Sequence, residues 1–149
     1  MDRTFRGLLA GIIAGIAMNI WNLTDYYFFH FTNLRLLDWV AVLAGGQKLS
    51  QSGFETGVDL VVQIIWDGFL GIVFAHLLRR ITSRGVMVKS VLYATLLWFF
   101  FRAIAVLFKV TPLITGQDFA GRFSNLLGAV LWGIVLGWML KRFDTIPEE

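Results

Sequence analysis

Residues 58–78 read VDLVVQIIWDGFLGIVFAHLL, and this stretch decides the class of fold. A bilayer core takes about 20 helical residues to cross. Here 21 successive residues carry two charged side chains, Asp59 and Asp67. In hydrocarbon a lone segment must satisfy its own backbone N–H and C=O groups, which an α-helix does. On such a helix Asp59, Gln63 and Asp67 recur every fourth residue and share one face.

Working outward, three more apolar stretches reach spanning length: about Phe5–Phe31, Val86–Phe108 and Phe119–Leu140. They take up most of the 149 residues, so the chain reads as a single transmembrane domain, residues 1–149. Hydrophobic residues make up 57% and charged residues only 15%. A soluble domain this small has too much surface for so few charges to cover. The expected fold class is all-α, an integral membrane four-helix bundle. The N-terminal run resembles a signal peptide, but its apolar stretch continues well past Ala17, so it reads as an uncleaved first span.

Basic residues set the orientation. Arg3 and Arg6 precede span one, Arg79, Arg80, Arg84 and Lys89 surround the turn between spans two and three, and Lys141 and Arg142 follow span four. All fall on one side, which the positive-inside rule makes cytoplasmic, together with both termini. The opposite side has Arg35, Lys48 and Lys109, offset by Asp38, Glu55 and Asp118. So strong a bias speaks against dual-topology insertion, and the net charge of +3 reflects it rather than nucleic-acid binding.

In the first outer loop, Leu36, Leu37, Val40, Leu43 and Ala44 fall at helical spacing ahead of Gly45-Gly46, a natural stop. About ten residues cannot span, so a short interfacial helix is expected, with Trp39 anchored among headgroups. A re-entrant segment is the alternative. Thr111-Pro112 is expected to end span three, and Ile114–Asp118 to form a brief turn. The cluster Tyr26, Tyr27, Phe28, Phe29 and Phe31 reads as an interfacial aromatic belt more simply than as a ligand cage.

Gly7, Gly11 and Gly15 repeat every fourth residue in span one, and Gly133 and Gly137 do so in span four, with Gly128 further back. Small residues at this spacing let helix backbones approach closely. Two uses are open: contacts between helices of one chain, or an interface with a second copy or a partner membrane protein. The first is preferred, since each chain has four helices to pack.

Polar residues give the functional clue. Asn19, Asn22 and Asp25 sit in the outer half of span one, Asp59, Gln63 and Asp67 in span two, Arg102 in span three, and Arg122 and Asn125 in span four. Intramembrane polar groups are costly and face bundle interiors or wet cavities. The pattern predicts a water-accessible polar pocket, open outward and closed inward, with Asp67 and Arg102 as a central ion pair. The structural alternative is a network that fixes helix register.

Other chemistries find no support in the residues. The chain has no cysteine, which excludes disulfides and thiolate ligands. His30 and His76 fall at opposite ends, so no shared metal site is expected, and no cofactor is implied. Catalytic and nucleotide-binding motifs are absent from the sequence, and Asp67-Gly68 lacks the flanking pattern of intramembrane aspartyl proteases. Asn22-Leu23-Thr24 matches a glycosylation sequon but falls inside a span. A non-enzyme is expected.

The run Gly11-Ile-Ile-Ala-Gly-Ile-Ala-Met-Asn-Ile-Trp21, with Tyr26–Phe31 and Leu37-Asp38-Trp39, is similar to small four-span membrane proteins of Gram-positive bacteria, loosely the YqhR-type family. The resemblance implies a bacterial plasma membrane and supplies no activity. The expected function is binding or conduction of an ion or small polar solute. The alternative is a non-catalytic scaffold or regulatory subunit packed on a partner membrane protein through its glycine faces.

Overall fold

A computed structural model describes residues 2–46, 52–81, 85–115 and 117–144. Lys48 and Arg84, both counted in the charge asymmetry, lie outside the described residues. Among those described, all regular structure is helical. Helix α1 covers Arg3–Thr24 and continues through a wider π-helical segment, Asp25–Phe29. The His30 amide closes that segment on the Asp25 carbonyl at 2.7 Å, and left-handed backbone at His30 (φ 54°) ends it. The remaining helices are α2 (Leu36–Gly45), α3 (Gly53–Ile81), α4 (Val86–Leu107), α5 (Thr111–Thr115) and α6 (Phe119–Asp144).

Four of these are long and apolar enough to cross a membrane: Arg3–Phe29, Gly53–Arg80, Val86–Leu107 and Phe119–Phe143. The chain is therefore a four-span helical membrane protein, as its composition predicts. Helix α3 starts earlier than the apolar run because Ser52 and Glu55 cap one another's backbone, with N–H to side-chain oxygen distances of 3.2 and 3.3 Å. Thr111-Pro112 opens the short α5 rather than only ending α4, since proline fits a first helical turn.

Helix α2 forms where its spacing predicts and stops at Gly46, whose φ of 82° suits glycine. Asp38 secures its start by accepting from the Arg35 amide at 2.7 Å and from its guanidinium at 2.8 Å. That bond holds the Arg35 pKa above the ordinary guanidinium value. Leu37 and Val42 are buried, and α2 packs on α3 and α5. Trp39 is half-buried and faces a cavity between α3 and α4.

The order of helices in space differs from their order in sequence. Helix α1 is central, packed closely on α3 along one flank and on α6 along the other, and α6 carries α4 on its far side. Helices α3 and α4, consecutive in the chain, barely touch. The core runs through Ala10, Ala14, Phe74, Trp132 and Leu136. Two ring pairs bridge α3 and α4: Phe74 stacks on Tyr93 at 5.0 Å, and Trp66 meets Phe101 edge-on at 6.3 Å.

The glycines explain this arrangement. A methyl group on Gly7 would lie 2.8 Å from the Gly71 carbonyl oxygen, and one on Gly71 would lie 2.7 Å from Gly11 Cα. Gly11 faces the Asp67 carbonyl and Gly68, so α1 and α3 meet backbone to backbone. Gly133 and Gly137 seat α6 on Ser90, Val91 and Met87 of α4 in the same way. Both glycine stripes are thus packed against helices of the same chain.

Gly11→Ala should therefore destabilise the bundle by about 1–3 kcal/mol, the usual cost of overpacking. Gly57→Ala is the control, since its added methyl meets nothing within 4 Å and relieves a helical glycine. Thermal unfolding in detergent should show a lower midpoint for the first variant and an unchanged or higher one for the second.

Candidate functional site: a cavity between α3 and α4

The loose contact between α3 and α4 leaves a cavity of about 170 Å³. Helix α3 contributes Gln63, Trp66, Asp67 and Leu70, and α4 contributes Leu97, Trp98, Phe101 and Arg102. Met18 of α1 with Asn125, Ala129 and Trp132 of α6 forms the back. Leu36, Trp39, Val40 and Leu43 of α2 close over one end. Toward the other end the Tyr93 hydroxyl donates to the Leu70 carbonyl at 3.3 Å, and its ring packs between Phe74 and Trp132.

The walls correct the expected polar pocket. They are mainly aromatic and aliphatic, and four polar side chains punctuate them: Gln63, Asp67, Arg102 and Asn125. The end expected to open is covered by α2. Of the remaining predicted residues, Asn19, Asn22, Asp25, Asp59 and Arg122 lie outside the lining.

Asp67 is the residue that stands out. It is 4% exposed, and no hydrogen bond or ion pair engages its carboxylate. Its side chain lies directly against Gly15 of α1, where any larger residue would collide with it. The third glycine of the stripe therefore serves as the seat of a carboxylate. One turn along α3, Gln63 is 3% exposed and its Oε1 likewise lacks a partner.

The predicted Asp67–Arg102 ion pair does not form. Arg102 donates instead to Gln117 Oε1 at 3.0 Å, across the short connection that contains α5. Both side chains line the cavity without meeting. Gln117 is a buried residue that the sequence reading missed, because it precedes α6 and falls in an ordinary-looking turn.

Three predicted residues join helices through side-chain hydrogen bonds. Asn22 donates to Asn125 Oδ1 at 3.2 Å and accepts from the Leu36 amide at 2.6 Å, joining α1, α6 and the start of α2. Asp25, wholly buried, accepts a hydrogen bond from the Ser124 hydroxyl of α6 through Oδ2, while its Oδ1 has no partner. Trp21 Nε1 donates to the Ser124 carbonyl at 3.2 Å. The sequence does not single out Ser124, although its neighbour Asn125 marks that turn.

The rest are local. Asn19 turns back to donate to the Gly15 carbonyl at 2.9 Å, leaving its own Oδ1 buried and unpartnered. Arg122 is exposed and donates to the Asp118 carbonyl at 3.1 Å. Asp59 is partly buried and engaged by other groups. His76 pairs with Thr4 at 3.1 Å, and the His30 ring meets the Tyr26 carbonyl at 2.9 Å. Among the described residues, no group of three His, Cys, Asp or Glu side chains could hold a metal ion.

Fold and cavity together define a small four-span helical membrane protein with an aromatic chamber inside the bundle. Compared with known proteins, the chain matches no family, no curated protein and no solved structure.

The polar junction and the cavity should be separable. Asn22→Leu leaves the Leu36 amide and Asn125 without their partner, and should lower stability by about 1–3 kcal/mol. Asn125→Leu added to it should cost less than the two singles summed, because they share one interaction. Unfolding midpoints of the four proteins in a double-mutant cycle measure this.

Proposed function

We propose that the protein binds a small ligand inside the membrane, in the cavity between α3 and α4, and that this binding serves uptake or passage of a solute. The observation that carries the reading is the Asp67 carboxylate, buried in the cavity wall with no protein partner. A buried carboxyl without a hydrogen-bond partner costs stability, and an ionisable group inside a span is by default a candidate binding or conduction residue. The expected register role belongs instead to Asn22, Asp25 and Asn125, which do find partners.

The basic residues at the end of the bundle holding both α1's start and α6's finish support cytoplasmic termini under the positive-inside rule. We place the protein in a bacterial plasma membrane on the YqhR-type resemblance. This reading assigns it no catalysis. Movement of a solute by alternating access uses two units working against each other, which four spans supply as a homo-oligomer. The scaffold alternative loses its glycine faces, and no other observation favours it.

Native mass spectrometry of protein released from nanodiscs tests the reading. Wild type should carry an adduct beyond its own mass. Asp67→Asn should lose it, while Asp59→Asn, altered outside the cavity lining, should keep it. A bare wild-type chain, or an adduct held equally by Asp67→Asn, would contradict the assignment.

A further inference from the structure

We propose that the ligand is a hydrophobic primary amine, its ammonium on Asp67 and Gln63 and its apolar body against Trp66, Trp98 and Phe101. This rests on the ligand-binding reading above and adds the chemical class. Two buried side-chain oxygens of α3 are left without partners. Asp67 Oδ2 and Gln63 Oε1 are both buried, both unsatisfied and both acceptors. They belong to residues four apart on one helix, separated by about 6 Å of rise. An ammonium group is the complement of such a pair, since it offers three donors and no acceptor. Its positive charge also compensates the carboxylate, which has no cation bound to it.

Arg102 is the competing charge on the cavity wall, and its situation differs. It already donates to the neutral Gln117 Oε1 and is only partly buried, so it has a hydrogen-bond acceptor and some access to its surroundings. Asp67 has neither a hydrogen-bond partner nor such access. The unmet demand on the α3 wall is therefore for a hydrogen-bond donor, and an ammonium both supplies it and stabilises the ionised form of Asp67, which selects a cation over an anion.

The walls select the rest of the molecule. Four of the six tryptophans line the cavity, Trp39, Trp66, Trp98 and Trp132, together with Phe101. Aromatic faces attract cations as well as apolar groups, most strongly in a desolvated site. A hydrated inorganic cation would leave these surfaces unused. A volume of about 170 Å³ suits an aryl or short alkyl amine. Trp66, 45% exposed, stands where α3 and α4 part, so a bilayer-soluble amine meets the cavity at its flank.

The same tryptophans supply the readout. Purified protein in nanodiscs is titrated with 2-phenylethylammonium while tryptophan fluorescence is followed, with 3-phenylpropanoate, 2-phenylethanol and trimethyl-2-phenylethylammonium as comparison probes. The expected result is saturable binding of the primary ammonium, weaker binding of the quaternary ion and the alcohol, and none of the carboxylate. Asp67→Asn should weaken the amine by at least about tenfold, equivalent to about 1.4 kcal/mol. Gln63→Leu should weaken the primary ammonium while leaving the quaternary ion unchanged, since the latter has no N–H to give. Trp98→Leu, which spares both acceptors, should weaken every probe. Circular dichroism shows which variants are folded.

Preference for 3-phenylpropanoate, lost in Arg102→Gln, would overturn the amine assignment and leave a cavity that binds anions. Absence of binding by every probe, with an adduct still seen by mass spectrometry, would overturn the amine assignment alone. Absence of both would overturn the ligand-binding reading as well.

Discussion

Backbone contact between α1 and α3 is the constraint on which the rest of the structure depends. In a bilayer, apolar side chains gain little by leaving lipid for protein, so helices associate through close van der Waals contact. Gly7 and Gly11 on one helix and Gly68 and Gly71 on the other remove every side chain that would hold the two apart. A second glycine contact, Gly133 and Gly137 against α4, does the same at the far side of α6. Helix α3 is thereby committed to α1 and α4 to α6. The two helices that follow one another in sequence are left with large rings between them instead of a packed seam.

That division explains the cavity and its contents. Tight contacts need small residues, and the bulky ones, Trp66, Trp98, Phe101 and Trp132, collect where the backbones stand apart. Asp67 belongs to both environments. Its backbone lies in the tight seam against Gly11, while its carboxylate rests on Gly15 and borders the chamber. An acidic side chain so placed is fixed in position by packing rather than by hydrogen bonds.

The four spans, the α2 helix and the small-residue contacts were legible because each has a local cause: apolar length, helical spacing ahead of Gly45-Gly46, and glycine periodicity. The Ser52–Glu55 cap was legible in principle and fell just ahead of the apolar run. Pairing across helices was not legible. Depth alone placed Arg102 level with Gln63, one turn from Asp67, but depth does not tell which helices are neighbours, and α3 and α4 turn out to stand apart. Arg102 reaches Gln117 instead, and α2 folds over the chamber because Asn22 captures its first amide. The cluster of polar residues therefore divided into a joint, formed by Asn22, Asp25, Ser124 and Asn125, and a chamber wall with Asp67 and Gln63.

The central claim is that Asp67 is kept for a ligand and contributes nothing to holding the fold together. The direct measurement is the thermal unfolding midpoint of Asp67→Asn beside wild type, in the same detergent and without added ligand. The asparagine keeps the shape seated on Gly15 and breaks no bond within the chain, so the account predicts an unchanged or higher midpoint. A variant destabilised by about 3–5 kcal/mol, the cost of breaking a buried ion pair, would show that Asp67 has a partner in the protein and would contradict the account.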